Sequence, residues 1–167
     1  MSWMSPIFTA PYARMVSTPK YYEVCTALIA ETIELFHNPR FFHLGMDEEE
    51  AVHQTQFEFA CMRQHNLWWH DIILFFKAVE SRGSRPWIWG DYVWNHADSF
   101  YQEMPKSALQ SNWYRDPVRG PAKSGYGGRS DLSVECVRTF VDVDMAGYDQ
   151  VPTVSNWETP ANISETI

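Results

Sequence analysis

Apolar positions along the chain alternate between a helical and a strand period. Thr18-Pro19 reads as a helix start, with the hydroxyl as N-cap and the proline at the first helical position. Tyr21, Val24/Cys25, Leu28/Ile29, Thr32/Ile33 and Phe36 then recur on one helical face. Glu23, Glu31 and Glu34 fall mostly off that face and read as solvated. Asn38-Pro39 stops the helix, and the apolar run Phe41 to Leu44 follows as a short buried strand. Residues 51–64 read as a loop turning into a helix. A second helix, Leu67 to Glu80, carries Leu67, Trp68, Ile72/Ile73, Phe75/Phe76 and Val79, and Ser81-Arg82-Gly83-Ser84 ends it. Trp87-Ile88-Trp89 is a second strand, closing at Gly90-Asp91. Residues 92–106 read as a loop with a short helical piece. Ala108 to Tyr114 is a third strand, and Arg115 to Arg129, rich in Gly and Pro, a mobile loop. Leu132 to Ala146 is a helix with Val134, Val137, Val141 and Met145 near one face and Gly147 at its C-cap. Val151 to Trp157 is the fourth strand, and Pro152 gives it an edge position or an irregular start. The first 17 residues read as a loop or arm, and the tail as the start of another helix.

Strands alternating with helices predict an α/β fold with parallel strands, in one domain spanning residues 1–167. No internal repeat or low-complexity segment interrupts it.

Composition narrows the partners. The net charge is −8 and nothing basic clusters, which argues against nucleic acid. No apolar run approaches the roughly 20 residues of a membrane span, and the first residues lack the charged and apolar regions of a signal peptide. Eight Trp in 167 residues suit either a well-packed core or a sugar site, since flat apolar sugar faces stack on indole rings. Cys25, Cys61 and Cys136 have no metal spacing, their odd number argues against a disulfide framework, and Cys25 is expected in the core.

The candidate chemistry follows the first strand. After Phe41–Leu44 the chain reaches Gly45, then Met46 and the acids Asp47, Glu48, Glu49 and Glu50. A buried strand that stops at a glycine and then presents acids suits a site at the carboxyl end of a parallel strand. Neighbouring Asp47 and Glu48 point to different sides of an extended backbone, so each can touch a ligand at a different point. Glu49 and Glu50 read as solvated acids.

His43-Leu44-Gly45-Met46-Asp47-Glu48 resembles the His-x-Gly-Gly/Ala-Asp-Glu signature of family 20 glycoside hydrolases, the β-N-acetylhexosaminidases, with Met46 where the family has a small residue. Upstream, Met15 to Tyr22, a helix and then Leu35-Phe36 resemble the segment leading into that signature. Downstream, Pro86-Trp87-Ile88-Trp89-Gly90-Asp91 resembles the family's next strand. The resemblance implies a partial (β/α)8 TIM barrel of about four parallel strands with intervening helices, matching the fourth to seventh strands of a barrel that typically takes about 250 residues. It implies removal of terminal β-linked N-acetylhexosamine with retention and without cofactor or metal. The substrate's acetamido oxygen is the nucleophile, an exception to the usual pair of carboxylates. Glu48 would be the general acid and base, and Asp47 would orient the acetamido nitrogen. His43, Trp89, Asp91, Trp113, Tyr114, Trp157 and Glu158 would line or support the sugar site. Ser155-Asn156-Trp157-Glu158 departs from the Tyr-x-Asp that many members carry at the seventh strand.

Half a barrel leaves two parallel edges to cover. The chain is then a piece of a longer protein, or two copies pair to complete the barrel, or other residues cover the edges. Two other classes stay open. One is a truncated, non-catalytic carbohydrate-binding barrel. The other is a metal-dependent hydrolase using some of His43, Asp47, His53, His65, His70 and Asp71, none of which has a recognised metal spacing.

Overall fold

A computed structural model describes residues 16–47, 49, 63, 66–113, 132–154 and 163, without the side chains of 132–135 and 137. Among the described residues four helices alternate with four strands: α1 (Pro19–Leu35), β1 (Phe41–His43), α2 (Leu67–Glu80), β2 (Arg85–Trp89), α3 (Tyr92–Glu103), β3 (Leu109–Trp113), α4 (Leu132–Met145) and β4 (Gln150–Thr153). The strands form one parallel sheet in the order β1-β2-β3-β4. Trp87 pairs with Leu109 and Trp89 with Ser111, while Gln110 pairs with Gln150 and Trp113 with Thr153. The α/β expectation with parallel strands therefore holds. Among the described residues no helix is long and apolar enough to cross a membrane.

The chain divides into two compact units, Met1–Phe42 with Glu48–Pro86, and His43–Asp47 with Trp87–Ile167. In the first, α1 begins as its sequence requires: Thr18 Oγ1 accepts from the Tyr21 N–H at 3.3 Å, with Pro19 in the first turn. It ends where His37 and Asn38 turn left-handed, the Asn38 N–H reaching back to the Ile33 carbonyl at 2.9 Å. Ile29 and Ile33 of α1 and Trp68, Ile72, Phe75, Phe76 and Val79 of α2 are buried. At roughly 1.5–3 kcal/mol for each fully buried large apolar side chain, this face supplies most of what holds the two helices in place. Leu28 and Phe36, expected on the apolar face of α1, are instead exposed.

The second unit differs from expectation at two helices. Residues 92–103 form a full helix, α3, rather than a loop with a short helical piece. Only Val93 and Phe100 of it are buried, and the backbone leaves helical geometry at His96. The polar run Asn95 to Ser99 therefore hides a helix that its few apolar residues anchor. In α4, Val141 and Met145 point to solvent, while Cys136, Thr139 and Val143 are buried. Val141 and Met145 of the expected face therefore lie off the packed side, which Cys136, Thr139 and Val143 form among the described side chains. Gly147, at φ +80°, ends α4, its N–H bonding to the Asp144 carbonyl and the Tyr148 N–H to the Val143 carbonyl, which uses glycine's access to the left-handed region.

β3 is buried along both faces. One face carries Gln110 and Asn112, an amide row that continues outward. The Asn112 Nδ2 donates to Gln150 Oε1, and Gln150 Nε2 donates to the Phe140 carbonyl of α4, both at 2.6 Å. This row ties β3, β4 and α4 together. Pro152 lies on β4, the last strand in the sheet order, opposite Asn112. That end position is the one a residue without an N–H tolerates.

Candidate functional site

Parallel strands bring their carboxyl ends to one edge of the sheet. Within the second unit this edge collects the residues following β1, the ends of β2 and β3, and the end of β4. Leu44 N–H bonds the Trp87 carbonyl at 2.8 Å and Trp89 N–H the Gly45 carbonyl at 3.1 Å, so the ladder between β1 and β2 runs as far as Gly45. Gly45 and Met46 then both take left-handed backbone, φ +77° and +70°. For Met46 this conformation costs about 1–2 kcal/mol. A glycine, without a Cβ, would take this conformation at no such cost. The turn leaves Asp47 exposed, with its Oδ1 3.8 Å from where a Cβ on Gly45 would stand.

His43 is the best-defined polar group here. Its Nδ1 accepts the Gly45 N–H at 3.0 Å, which leaves the proton of a neutral imidazole on Nε2. Nε2 is shielded from solvent and makes no hydrogen bond among the described residues. Burial pulls the imidazole below its ordinary pKa, and Asp47 offsets this only in part. The ring is met edge-on by Trp87 and Trp89, centroids 4.9 and 4.8 Å away. These three rings therefore share one face of the sheet and hold a neutral N–H donor between apolar walls. The same face continues onto β3 and β4, where Ser111 and Thr153 hydroxyls bond each other. Trp113 packs edge-on to Trp94 of α3, centroids 4.8 Å apart.

Gly90 separates β2 from Asp91 and cannot carry a side chain. A Cβ there would stand 2.2 Å from Asn112 Oδ1. Asp91, the residue before α3, is buried to 8% exposure, without a side-chain bond to the helix N-terminus. Of the residues singled out by sequence, His43, Asp47, Trp89, Asp91 and Trp113 all lie at or just beyond strand ends of the second unit. Trp89 meets His43, and Trp113 lies one strand further along. Glu48, Tyr114, Trp157 and Glu158 lie outside the described residues. Sequence reasoning passed over Trp87, Ser111 and Thr153 as site residues. The two-residue period of β2 and β3 placed Trp87 beside Trp89 and Ser111 beside Trp113, and that was the available signal.

A second cluster lies in the first unit and changes the reading of Glu49 and Asp71. Arg63 donates from Nε to Asp71 Oδ2 at 2.6 Å, from Nη2 to the Tyr21 hydroxyl at 2.8 Å, and from Nη1 to Glu49. Asp71 also accepts from Ser17 Oγ and Tyr22 Oη, both at 2.7 Å. Side-chain exposure is 4% for Arg63, 0% for Asp71 and 18% for Glu49. Burial drives the Asp71 carboxyl up, but its donors, Arg63 first, outweigh it and hold the pKa below the usual carboxylate range. Burial opposes charge on Arg63, and Glu49 and Asp71 keep the guanidinium ionised. Glu49 is thus an ion-paired, mostly buried acid rather than a solvated one. Among the metal candidates, Asp71 spends its oxygens on these donors, and His53 and His65 lie outside the described residues. No group of three His, Cys, Asp or Glu among the described residues is arranged to hold a metal ion.

Comparison with family models, with curated proteins and with solved structures returns no match.

Proposed function

We propose that this chain carries part of a glycoside hydrolase site of the family 20 type, acting on terminal β-linked N-acetylhexosamines with retention. The observation that carries the reading is the turn after β1. It leaves the sheet at a strand's carboxyl end, where α/β barrels keep their chemistry. It sets Asp47 beyond a neutral His43 held between Trp87 and Trp89. The sequential strand order also supports a partial barrel, since it contains no reversal of the kind that marks the doubly wound folds.

In this reading the acetamido oxygen of the sugar attacks C1 as the glycosidic bond breaks. The leaving oxygen takes the proton of Glu48, and Asp47 accepts the acetamido N–H. Water, deprotonated by the Glu48 carboxylate, then opens the cyclic intermediate at C1 and restores the β configuration. The Trp89 ring offers an apolar wall to the sugar face, and His43, accepting the Gly45 N–H, holds the turn that carries Asp47. Asp91 and Trp113 extend that wall from the ends of β2 and β3, and Tyr114, Trp157 and Glu158 keep the sugar-binding roles that the resemblance implies.

The test is release of nitrophenol from a nitrophenyl β-N-acetylglucosaminide by this chain beside Glu48→Gln. General acid–base groups typically contribute 10²–10⁴-fold, so the variant should lose at least about 100-fold in kcat. Equal rates from the two proteins, or a folded chain that binds the sugar without cleaving it, would overturn the hydrolase assignment.

A further inference from the structure

Glu49 follows the proposed acid Glu48 directly in the chain, and it forms a largely buried ion pair. Its partner, Arg63, is joined at the same time to Tyr21 of α1 and Asp71 of α2. Each arm of one planar guanidinium therefore goes to a different element. The fork fixes the three directions together, which the single ammonium of a lysine does not. Asp71 is in turn locked by Ser17 and Tyr22, so the guanidinium is held from the far side as well. With Arg63 at 4% and Asp71 at 0% exposure, water competes poorly for these bonds.

We propose that Arg63 is a positioning residue: through Glu49 it fixes the backbone next to Glu48 to the two helices of the first unit. This rests on the hydrolase reading of Glu48. The anchor's effect is geometric. A misplacement of about 1 Å in a reacting group can cost on the order of 100-fold in rate.

Arg63→Lys keeps the charge and removes the fork, and Glu49→Gln keeps the shape and removes the ion pair. Two readouts separate the claims. Amide exchange of peptides spanning residues 44–50 should speed up about tenfold or more in both variants, with the middle of α2 unchanged. Turnover by Arg63→Lys, per folded molecule as judged by near-ultraviolet dichroism, should fall by roughly 10- to 100-fold in kcat with KM little changed. Unchanged exchange over 44–50 overturns the anchor whatever the activity. Altered exchange with full kcat makes the anchor merely structural and overturns the positioning role. Absence of hydrolysis in the parent chain overturns the hydrolase reading and the catalytic role of the anchor together, while the exchange data still decide whether the anchor exists.

Discussion

Replacing Gly90 by alanine tests the packing beneath the candidate site. The glycine's φ is not left-handed, so alanine meets no backbone penalty there, and the effect is steric. A new Cβ would stand 2.2 Å from Asn112 Oδ1 and 3.2 Å from its Cγ. The amide must retreat by roughly 1 Å or more to reach ordinary van der Waals separation. It has nowhere easy to go. Asn112 is 2% exposed, and its Nδ2 bond to Gln150 is already 2.6 Å. A shift of that size breaks the bond and strands a buried donor and acceptor, at about 1–3 kcal/mol. Overpacking strain adds a similar amount, and the lower entropy of unfolded alanine returns about 0.4–1 kcal/mol. The net expectation is a loss of about 2–4 kcal/mol. In urea, with a slope of about 1–3 kcal/mol/M, the midpoint should fall by about 1–2 M. Gly83→Ala serves as a control: it meets nothing within 4 Å but sits at φ +78°, so it should cost only about 1–2 kcal/mol. A Gly90→Ala midpoint within about 0.2 M of the parent would refute the argument.

Asp71→Asn should destabilise by on the order of 3 kcal/mol at neutral pH, since it takes one carboxylate from a buried guanidinium; chemical denaturation measures it. The Asp71 pKa is depressed in the folded state, so its contribution is full above the unfolded value near 3.9 and is lost as pH falls through the folded value. The parent should therefore lose stability more steeply below about pH 4 than Asp71→Asn. His43 is also depressed, chiefly by burial. As pH falls below about 6.5 the unfolded chain takes up this proton first and the folded state loses stability until its own value is reached. Urea midpoints at pH 7.5 and 5.5 should thus differ less in His43→Gln than in the parent, and equal differences would show that the ring is not held neutral. Trp89→Ala should raise KM for the aryl glycoside more than it lowers kcat, as expected for a wall that binds ground and transition states alike.

The sequence was most legible where a single strong pattern decided the outcome. α2 runs from Leu67 to Glu80 as expected because Trp68, Ile72, Phe75, Phe76 and Val79 are all large, apolar and on one side. The Thr18-Pro19 start and the Gly147 end of α4 follow from capping chemistry that acts within a few residues. What was hidden depends on distant partners. Thr139 and Asn112 are buried although their composition reads as surface, because α4 and the amide row enclose them. Asp71 and Glu49 looked like a metal candidate and a solvated acid. Only a guanidinium 8 residues from one and 14 from the other reveals their roles. At the candidate site, the residues ending β1, β2 and β3 could be picked out in advance. The tautomer of His43 and the left-handed Met46 could not, since both are set by backbone geometry after the strand.

The sequential order of the sheet bears on how the chain is made. A parallel strand can pair only after its crossover has been traversed. Here each strand pairs with the one synthesised just before it: β3 joins β2 through Leu109 and Trp87, and β4 joins β3 through Gln150 and Gln110. None of the four described strands waits for an insertion between two earlier ones. On a ribosome, where segments emerge at about 5–20 residues per second, these four strands can pair in the order in which they emerge. At each moment the newest strand, with its open edge, is the surface most exposed to misassociation.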